Sequence, residues 1–500
     1  MPASSRNIIA LNVSTSVIQV IITGLVYFFI YRILVLQLGV ELLGVWSLTI
    51  AVASVANLSN LGFSTAIIKY VAEYDAREES EKISKLLYTS IISVSVLFII
   101  AGILVCSLAF FFITRLVEIK YFRLAMTILP ISLCGLFFVS LANILTSVLE
   151  GFQKNYIRNI TCGTTSVLFL VLAIILIPRS GLVGLAIAQA IQALALFIVS
   201  CFLLSKILKG FLIKEIKWDR QAFKQLLNYG YRMQLISVGQ ILTEPVTKIL
   251  ISRFHGMNTL GFYEMASRVI GQLRQIIAGM DQITMPIVSH FQQTQKITVQ
   301  YIYEKGLSFV LFIVFPLFAG IILFAPYLSK IWIGSVEKVF MNCMYILAAG
   351  MLVNVLNVQA YFNSLGEGRL NGILIMILFI LLFNTLTGIV AGYFIPVYGV
   401  VIANAVASAT GSVWFINNYH RTTGINLKKI LKKPDLAIMA GSLLFAVFAG
   451  FVLLKISRFY DYSLISLFGM MSIYLIYFMI LSRPNDNFKL LNIFQYFRNR

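Results

Sequence analysis

The stretch that decides the fold runs from residue 229 to residue 290 and reads YGYRMQLISVGQILTEPVTKILISRFHGMNTLGFYEMASRVIGQLRQIIAGMDQITMPIVSH. It is apolar enough for two neighbouring membrane-spanning helices, yet it carries a heavy load of charge. A charge at mid-bilayer costs about 2.5 to 3.5 kcal/mol even on the mild insertion scale, so such residues face water or one another and are candidates for function. The ionisable residues are Arg232, Glu244, Lys248, Glu264, Arg268, Arg274 and Asp281.

A purely structural interpretation stands beside the functional one. Glu244 and Lys248 are four residues apart, as are Glu264 and Arg268, so each pair can neutralise itself on one helix face. The other three residues have no partner at that spacing: Arg232, Arg274 and Asp281.

The composition indicates an all-α polytopic membrane protein. Of 500 residues, 59% are hydrophobic and only 12% are charged, against about a quarter charged in a soluble domain. The net charge of +20 falls in short loops between apolar segments, which is explained by membrane topology and not by a nucleic-acid partner.

The cysteines and histidines predict no metal site, no cofactor and no disulfide framework. All five cysteines lie in or beside apolar segments without CxxC spacing, and the three histidines are isolated from acidic clusters. The polar connections are short, and neither a phosphate-binding GxxxxGK[ST] loop nor a GxGxxG fingerprint is present, so we expect no enzyme and no ATP hydrolysis.

Apolar windows of about 20 residues predict about fourteen membrane spans. The first, near residues 8–36, is too long for a signal-peptide core and lacks a small-residue cleavage site, so we expect it to remain. The others lie near residues 42–70, 86–114, 122–149, 157–178, 182–208, 228–252, 259–288, 303–327, 339–364, 370–394, 398–418, 436–456 and 462–482.

The distribution of Lys and Arg predicts the orientation, because translocation disfavours positive charge. With the N-terminus inside, most basic residues lie on the cytoplasmic side and both termini are cytoplasmic. The basic segments on that side are 69–85, 154–158, 206–224, 421–433 and 483–500.

Two short matches between the halves of the chain indicate a duplicated six-span unit. LGVELLGVW (38–46) matches HGMNTLGFY (255–263) in its glycines, its Leu-Gly pair and its final aromatic, at an offset of 255 minus 38, or 217. PRSG (178–181) matches PVYG (396–399) at an offset of 396 minus 178, or 218.

The repeat predicts two pseudo-symmetric lobes in parallel orientation. Residues 1–210 form the N-lobe, 211–225 a cytoplasmic linker, 226–420 the C-lobe, and 421–500 two additional spans and a cytoplasmic C-terminus. Symmetry places a shared cavity beside spans 1, 2, 7 and 8, and the charges there make it cationic and suited to a diphosphate. The positions expected to bind the anion are Arg32, Arg232, Lys248, Arg268 and Arg274, and those expected to act as coupling groups or counter-ions are Glu244, Glu264 and Asp281.

Three segments resemble the Wzx-type polysaccharide flippases of the multidrug/oligosaccharidyl-lipid/polysaccharide exporter superfamily. LGVELLGVWSLTIAVASVANLSNLGFSTAIIKYVAE (38–73) is similar to the second helix of that family. LEGFQKNYIRN (149–159) and SLGEGRLN (364–371) are similar to its loops before the fifth and eleventh helices.

The resemblance implies a flippase in the bacterial cytoplasmic membrane that moves an undecaprenyl-diphosphate-linked oligosaccharide to the outer leaflet by alternating access. It implies membrane lipids, H⁺ or Na⁺, and polysaccharide polymerase or assembly proteins as partners. Two other transport functions stay open, a lipid II or teichoic-type precursor flippase and a multidrug cation antiporter. An antiporter is disfavoured because the cavity positions hold five basic and three acidic residues. A non-transporting component of a polysaccharide assembly complex is the alternative of another class.

Overall fold

The computed structural model describes residues 3–116, 119–208, 217–281 and 296–425, together with a few positions beyond 435. Within these residues the chain is helical, which confirms the predicted all-α class. The predicted spans near 436–456 and 462–482 lie largely outside the described residues.

Twelve helices follow one another along the described chain. They are α1 (Ala3–Leu38), α2 (Val40–Ser54), α3 (Phe63–Ala76), α4 (Ser80–Leu116), α5 (Ile119–Gly151), α6 (Asn155–Ile207), α7 (Arg220–Asp281), α8 (Lys296–Ile333), α9 (Lys338–Leu356), α10 (Val358–Gly366), α11 (Leu370–Phe394) and α12 (Gly399–Thr423).

These helices account for the first twelve predicted spans. Among the described residues, ten continuous stretches are long and apolar enough to cross a membrane, and two of them each combine two predicted spans. The helix α6 breaks at Gly181 (φ 56°) and α7 breaks at Gly256 (φ 79°), conformations that glycine adopts without the steric cost of a Cβ.

The second predicted span is not one uninterrupted helix. A short 3₁₀ segment, Val55–Asn60, separates α2 from α3, and Leu61 and Gly62 follow it with φ of 43° and 70°. The side chain of Gln234 donates a hydrogen bond to the backbone carbonyl of Leu58 at 2.9 Å. A side chain of α7 therefore satisfies a carbonyl at this break, as an interrupted helix in an apolar medium requires.

The chain divides into two compact units. One consists of Met1–Met265 with Thr385–Val400, and the other of Ala266–Asn384 with Val401–Arg500. The division between the predicted lobes at residues 211–225 remains a prediction.

In the first unit, an apolar core joins α3 to α4, α5 and the start of α7. Its fully buried members include Phe63, Ile67, Leu87, Leu145 and Leu226. Gly62 and Gly230 meet at the edge of this core, because a Cβ on Gly62 would lie 2.7 Å from the carbonyl oxygen of Gly230. This contact fixes where α7 begins its path beside α3.

In the second unit, the helices pack around buried polar groups. The hydroxyl of Tyr303 on α8 lies 2.7 Å from Nε2 of His420 on α12, and both side chains are buried. The amides of Asn354 and Asn357 donate to Oγ of Ser412 at 3.0 and 2.7 Å. These bonds satisfy polar groups that would otherwise be costly to bury.

The structure corrects the register of the second sequence match. A Cβ on Gly184 would overlap the carbonyl oxygen of Leu176, and a Cβ on Gly399 would overlap that of Ala391. Each glycine thus meets the carbonyl eight residues before it (184 − 176 and 399 − 391). By this contact Gly399 corresponds to Gly184, at an offset of 399 minus 184, or 215, which is three residues from the sequence match of Gly181 to Gly399. The reason is physical, since the glycine marks the point of close helix approach and not the turn itself.

Candidate functional site: a buried polar cluster at repeat-related positions

A buried carboxylate, that of Glu264, is the centre of a polar cluster in the first unit. Tyr31 on α1 donates its hydroxyl to Oε1 of Glu264 at 2.6 Å, and Ser47 on α2 donates to Oε2 at 2.7 Å. The ammonium of Lys248 lies 2.7 Å from the same Oε2. Three helices therefore converge on one negative charge.

Lys248 lies between two carboxylates in different surroundings. Its Nζ contacts Oε1 of Glu244 at 2.5 Å, one turn earlier in α7. The side chains of Lys248 and Glu264 are each 4% exposed, whereas that of Glu244 is 67% exposed. The predicted pairing of Glu244 with Lys248 is confirmed, and Lys248 also neutralises the buried Glu264.

The four central residues occupy equivalent positions in the two halves of the repeat. Adding the offset of 217 to Tyr31 gives Lys248, and adding it to Ser47 gives Glu264. Each lies eight residues from its glycine break, as in 39 − 31 and 256 − 248, or 47 − 39 and 264 − 256. At 1.5 Å per residue the cluster lies about 12 Å from the helix breaks.

Reciprocal close packing holds the two repeat-related helices together beside the cluster. A Cβ on Gly44 would overlap the carbonyl oxygen of Met257, and a Cβ on Gly261 would overlap that of Val40. Gly39 (φ 88°, ψ 164°) and Gly256 (φ 79°, ψ 173°) precede these contacts with nearly the same backbone conformation. The sequence match at 217 thus corresponds to a symmetric helix crossing in the structure.

The cluster stabilises the fold only when each buried charge has its partners. Bringing two charges out of water is costly, and the cost is offset only when geometry and hydrogen bonds are good. Both oxygens of Glu264 are bonded, so this condition is met. Removing one member of such a pair typically costs about 3 to 5 kcal/mol, because the other charge stays buried. The cluster therefore favours the arrangement in which these helices are in contact.

The structure brings three of the eight predicted site residues together: Glu244, Lys248 and Glu264. Arg32 follows the buried Tyr31 but is exposed. In the second unit, Arg268 is half-buried and Arg274 is exposed. The side chains of Arg232 and Asp281 lie outside the described residues. Binding of an anion by these basic residues remains a prediction.

Two members of the cluster, Tyr31 and Ser47, were not among the predicted site residues. Neither carries a charge, so a search for ionisable groups in apolar sequence passes over them. The sequence nevertheless held a signal, because the offset of 217 from the repeat leads from Lys248 and Glu264 directly to these two positions.

The described residues contain no group of three or more His, Cys, Asp or Glu side chains arranged to hold a metal ion. The chemistry of the cluster is ion pairing and hydrogen bonding. Such a cluster can stabilise one conformation, and it can change when a proton or an anion competes for its members.

The fold is shared by solved structures of membrane transporters. A lipid II flippase, MurJ, in an inward closed conformation aligns with a TM-score of 0.70 and 16% identity over 93% of this chain and 98% of that chain. An inward-facing multidrug resistance MATE family transporter of the MOP superfamily aligns with a TM-score of 0.68 and 17% identity, over 83% of this chain and 99% of that chain. At these identities the likeness establishes the fold.

The sequence shows the family to which the chain belongs. Residues 33–338 match the family model described as "Polysaccharide biosynthesis protein", and the chain belongs to this family. A Shigella flexneri protein provisionally named an O-antigen transporter is 22% identical over 344 residues, 67% of this chain and 80% of the relative. The resemblance to the Wzx-type flippases is confirmed.

Proposed function

We propose that the protein is a flippase that moves an undecaprenyl-diphosphate-linked oligosaccharide across the cytoplasmic membrane by alternating access. The observation that carries the proposal is the buried Lys248–Glu264 pair with Tyr31, because it joins repeat-related helices through buried charges. A transporter needs such a contact, which is stable in one state and released in the other.

The mechanism follows from the difference between two states. An interaction of equal strength in both states shifts no equilibrium, so the cluster acts only if it is intact when its end is closed and separated when that end opens. Opening would expose Glu264 and Lys248 to water, which replaces the bonds that they lose. Protonation of Glu264 would weaken the pair, and this is how H⁺ would couple to the cycle.

The cargo is proposed from the family and from the chemistry of a diphosphate. Arginine binds phosphate oxygens in a bidentate manner, and the predicted anion ligands include Arg32, Arg232, Arg268 and Arg274. Lys248 joins them only after it separates from its two carboxylates. The name of the Shigella flexneri relative agrees with a polysaccharide-type cargo.

The membrane placement is part of the proposal. Ten membrane-capable stretches among the described residues fit a multi-pass protein of the cytoplasmic membrane. With both termini cytoplasmic, α1 runs outward and Gly39 and Gly256 lie at the outer side. The buried cluster then closes the outer end, and the cargo enters from the cytoplasm.

The proposal is tested in a strain that lacks its own polysaccharide flippase. Wild type should restore surface glycan and lower the intracellular pool of lipid-linked oligosaccharide. Arg274→Ala and Arg268→Ala should insert normally and abolish export, whereas Arg421→Ala at the exposed end of α12 should export as wild type does.

Three other outcomes point to the alternative functions. Rescue of peptidoglycan precursor export would indicate a lipid II or teichoic-type cargo. Increased resistance to organic cations without glycan would indicate an antiporter. Restored glycan that survives every cavity substitution would indicate a non-transporting member of an assembly complex.

A further inference from the structure

A polar cavity lies in the first unit, apart from the buried cluster. It has a volume of about 570 Å³ and is lined by the end of α3, the start of α4 and the start of α7. Its wall includes Tyr70, Tyr74, Lys82, Lys85, Lys224 and Gln225. Nothing in the proposed transport mechanism uses these residues.

Side-chain hydrogen bonds fix the walls of this cavity. Tyr74 and Gln225 bond to one another across it, with Tyr74 OH 3.0 Å from Oε1 and 2.8 Å from Nε2. Nε1 of Trp218 donates to Oγ of Ser93 at 3.1 Å, and the backbone N–H of Asp219 donates to Oγ1 of Thr89 at 3.1 Å. The segment that leads into α7 is therefore attached to α4, and the cavity is a formed feature of the fold.

The cavity presents positive charge that an anion can use. Lys82 pairs with Glu79 at 2.8 Å and Lys85 with Glu81 at 3.1 Å, but the lysine side chains are 55% and 61% exposed. Exposed pairs of this kind contribute only about 0 to 1 kcal/mol, so their lysines exchange partners at little cost.

The remaining charges in the wall also favour an anion. Lys224 is exposed and forms no ion pair within the described residues. The carboxylate of Asp219 accepts a hydrogen bond from the backbone N–H of Ala222 at 2.6 Å, so it is engaged in capping the start of α7.

Aromatic side chains place the cavity at the level of lipid headgroups. It lies where two membrane-capable stretches, Val40–Ala76 and Ser80–Phe111, are joined by a short turn. Trp218 lies directly before the start of α7, beside the cavity, and is 47% exposed. Exposed Trp and Tyr residues are typical of membrane–water interfaces.

We propose that this cavity binds the phosphate headgroup of an anionic membrane lipid through Lys82, Lys85 and Lys224. Two lipids supply that chemistry, a bulk anionic phospholipid and an isoprenoid diphosphate. Tyr74 and Gln225 add neutral hydrogen-bonding groups beside the ammonium groups. The proposal does not rest on the transport function, since its readout is binding.

The experiment uses the full chain, purified in a neutral detergent, and measures lipid binding by native mass spectrometry. The probes are phosphatidylglycerol, farnesyl diphosphate and phosphatidylcholine. The variants are Lys224→Gln and the triple Lys82→Gln, Lys85→Gln, Lys224→Gln. Lys206→Gln is the matched control, because Lys206 is also exposed and forms no ion pair in the described part of the chain.

We expect Lys224→Gln to weaken binding of the anionic probe about fivefold and the triple variant to weaken it by more than about twentyfold, from about 1 kcal/mol per lysine at a membrane surface. Lys206→Gln should bind as wild type does. Preference for phosphatidylglycerol would identify bulk lipid as the ligand, and preference for farnesyl diphosphate would identify the isoprenoid diphosphate. Equal binding by wild type and the triple variant, or equal binding of phosphatidylcholine, would overturn the proposal.

Discussion

Ser47 and Glu264 occupy equivalent positions in the two halves of the repeat, 217 residues apart, and are joined by a hydrogen bond of 2.7 Å. These equivalent residues touch where the two repeat-related helices cross. Two carboxylates there would repel one another, and two hydroxyls would leave Lys248 without its buried counter-ion. At these two positions the chain has one hydroxyl, on Ser47, and one carboxylate, on Glu264. The charged residues of the cluster therefore all lie in the second half of the repeat.

The two carboxylates around Lys248 should differ sharply in their effect on stability. Glu264→Gln removes the buried counter-ion and should lower the free energy of unfolding by about 3 to 5 kcal/mol. Glu244→Gln is the control, since it removes an exposed carboxylate and should cost at most about 1 kcal/mol. Thermal unfolding in detergent measures both. Equal losses for the two variants would show that the burial of Glu264 has no energetic consequence.

Moving the carboxylate from position 264 to the equivalent position 47 should restore part of the stability that is lost when Glu264 is removed. Glu264→Ser leaves Lys248 with only Glu244. Adding Ser47→Glu returns a carboxylate to the cluster from the other side of the contact, since Oγ of Ser47 and Nζ of Lys248 both contact Oε2 of Glu264. Ser47→Glu alone should destabilise the protein by placing two carboxylates side by side.

The double variant should therefore be more stable than the sum of the single changes predicts, by about 0.5 to 3 kcal/mol. A double-mutant cycle on the thermal unfolding midpoint measures this coupling. Strict additivity would mean that the two positions do not share one electrostatic environment.

The helix crossing should not tolerate a methyl group. Gly261→Ala places a Cβ against the carbonyl oxygen of Val40 and should cost about 1 to 3 kcal/mol, as overpacking typically does. Gly271→Ala in the same helix is the control, because nothing lies within 4 Å of a Cβ there. The alanine at 271 should leave the unfolding temperature unchanged or raise it slightly. A larger loss of stability for Gly271→Ala than for Gly261→Ala would contradict the close helix crossing.

The buried Tyr303–His420 contact should contribute to the stability of the second unit. Tyr303→Phe removes the hydroxyl that lies 2.7 Å from Nε2 of His420 and leaves that nitrogen buried, which costs about 1 to 3 kcal/mol. Tyr393→Phe, at a side chain that is 78% exposed, should have no measurable effect on the unfolding temperature. Indistinguishable midpoints for the two variants would argue against the contact.

The orientation can be tested independently of transport with single cysteines in a background that lacks the five native ones. Arg77→Cys, in the turn after α3, should react with a membrane-impermeant maleimide only after the cells are opened. Arg179→Cys, beside the break of α6, should react in intact cells. Both positions are exposed, so the reagent reaches them from whichever side they face. The opposite pattern would place the buried cluster at the cytoplasmic end.

Much of the fold was predictable because it depends on local sequence. The first twelve spans follow from runs of apolar residues, since a helix that crosses a bilayer satisfies its own backbone. The role of the glycines at 39 and 256 also depends on local structure, because each breaks a helix with a positive φ. The duplication was visible for the same reason, as equal local structure requires similar residues at a constant offset.

The partners of the charged residues depended on helix packing. Within α7 the sequence shows that Lys248 and Glu244 share a face, since they are four residues apart. It does not show that Lys248 also reaches Glu264, because those two residues lie on either side of the break at Gly256. It likewise gives no local reason for Tyr31, 233 residues before Glu264, to donate to its carboxylate.

The sequence by itself thus determined the class of membrane fold, the positions of its helices and the residues whose charge is unusual. Only the tertiary structure decided which charges neutralise one another, where Gly184 and Gly399 correspond, and where α3, α4 and α7 enclose a cavity. The physical reason is the range of the forces involved. Hydrophobic runs and backbone hydrogen bonds act within a segment, whereas the pairing of buried charges is set by the packing of segments that are distant in the chain.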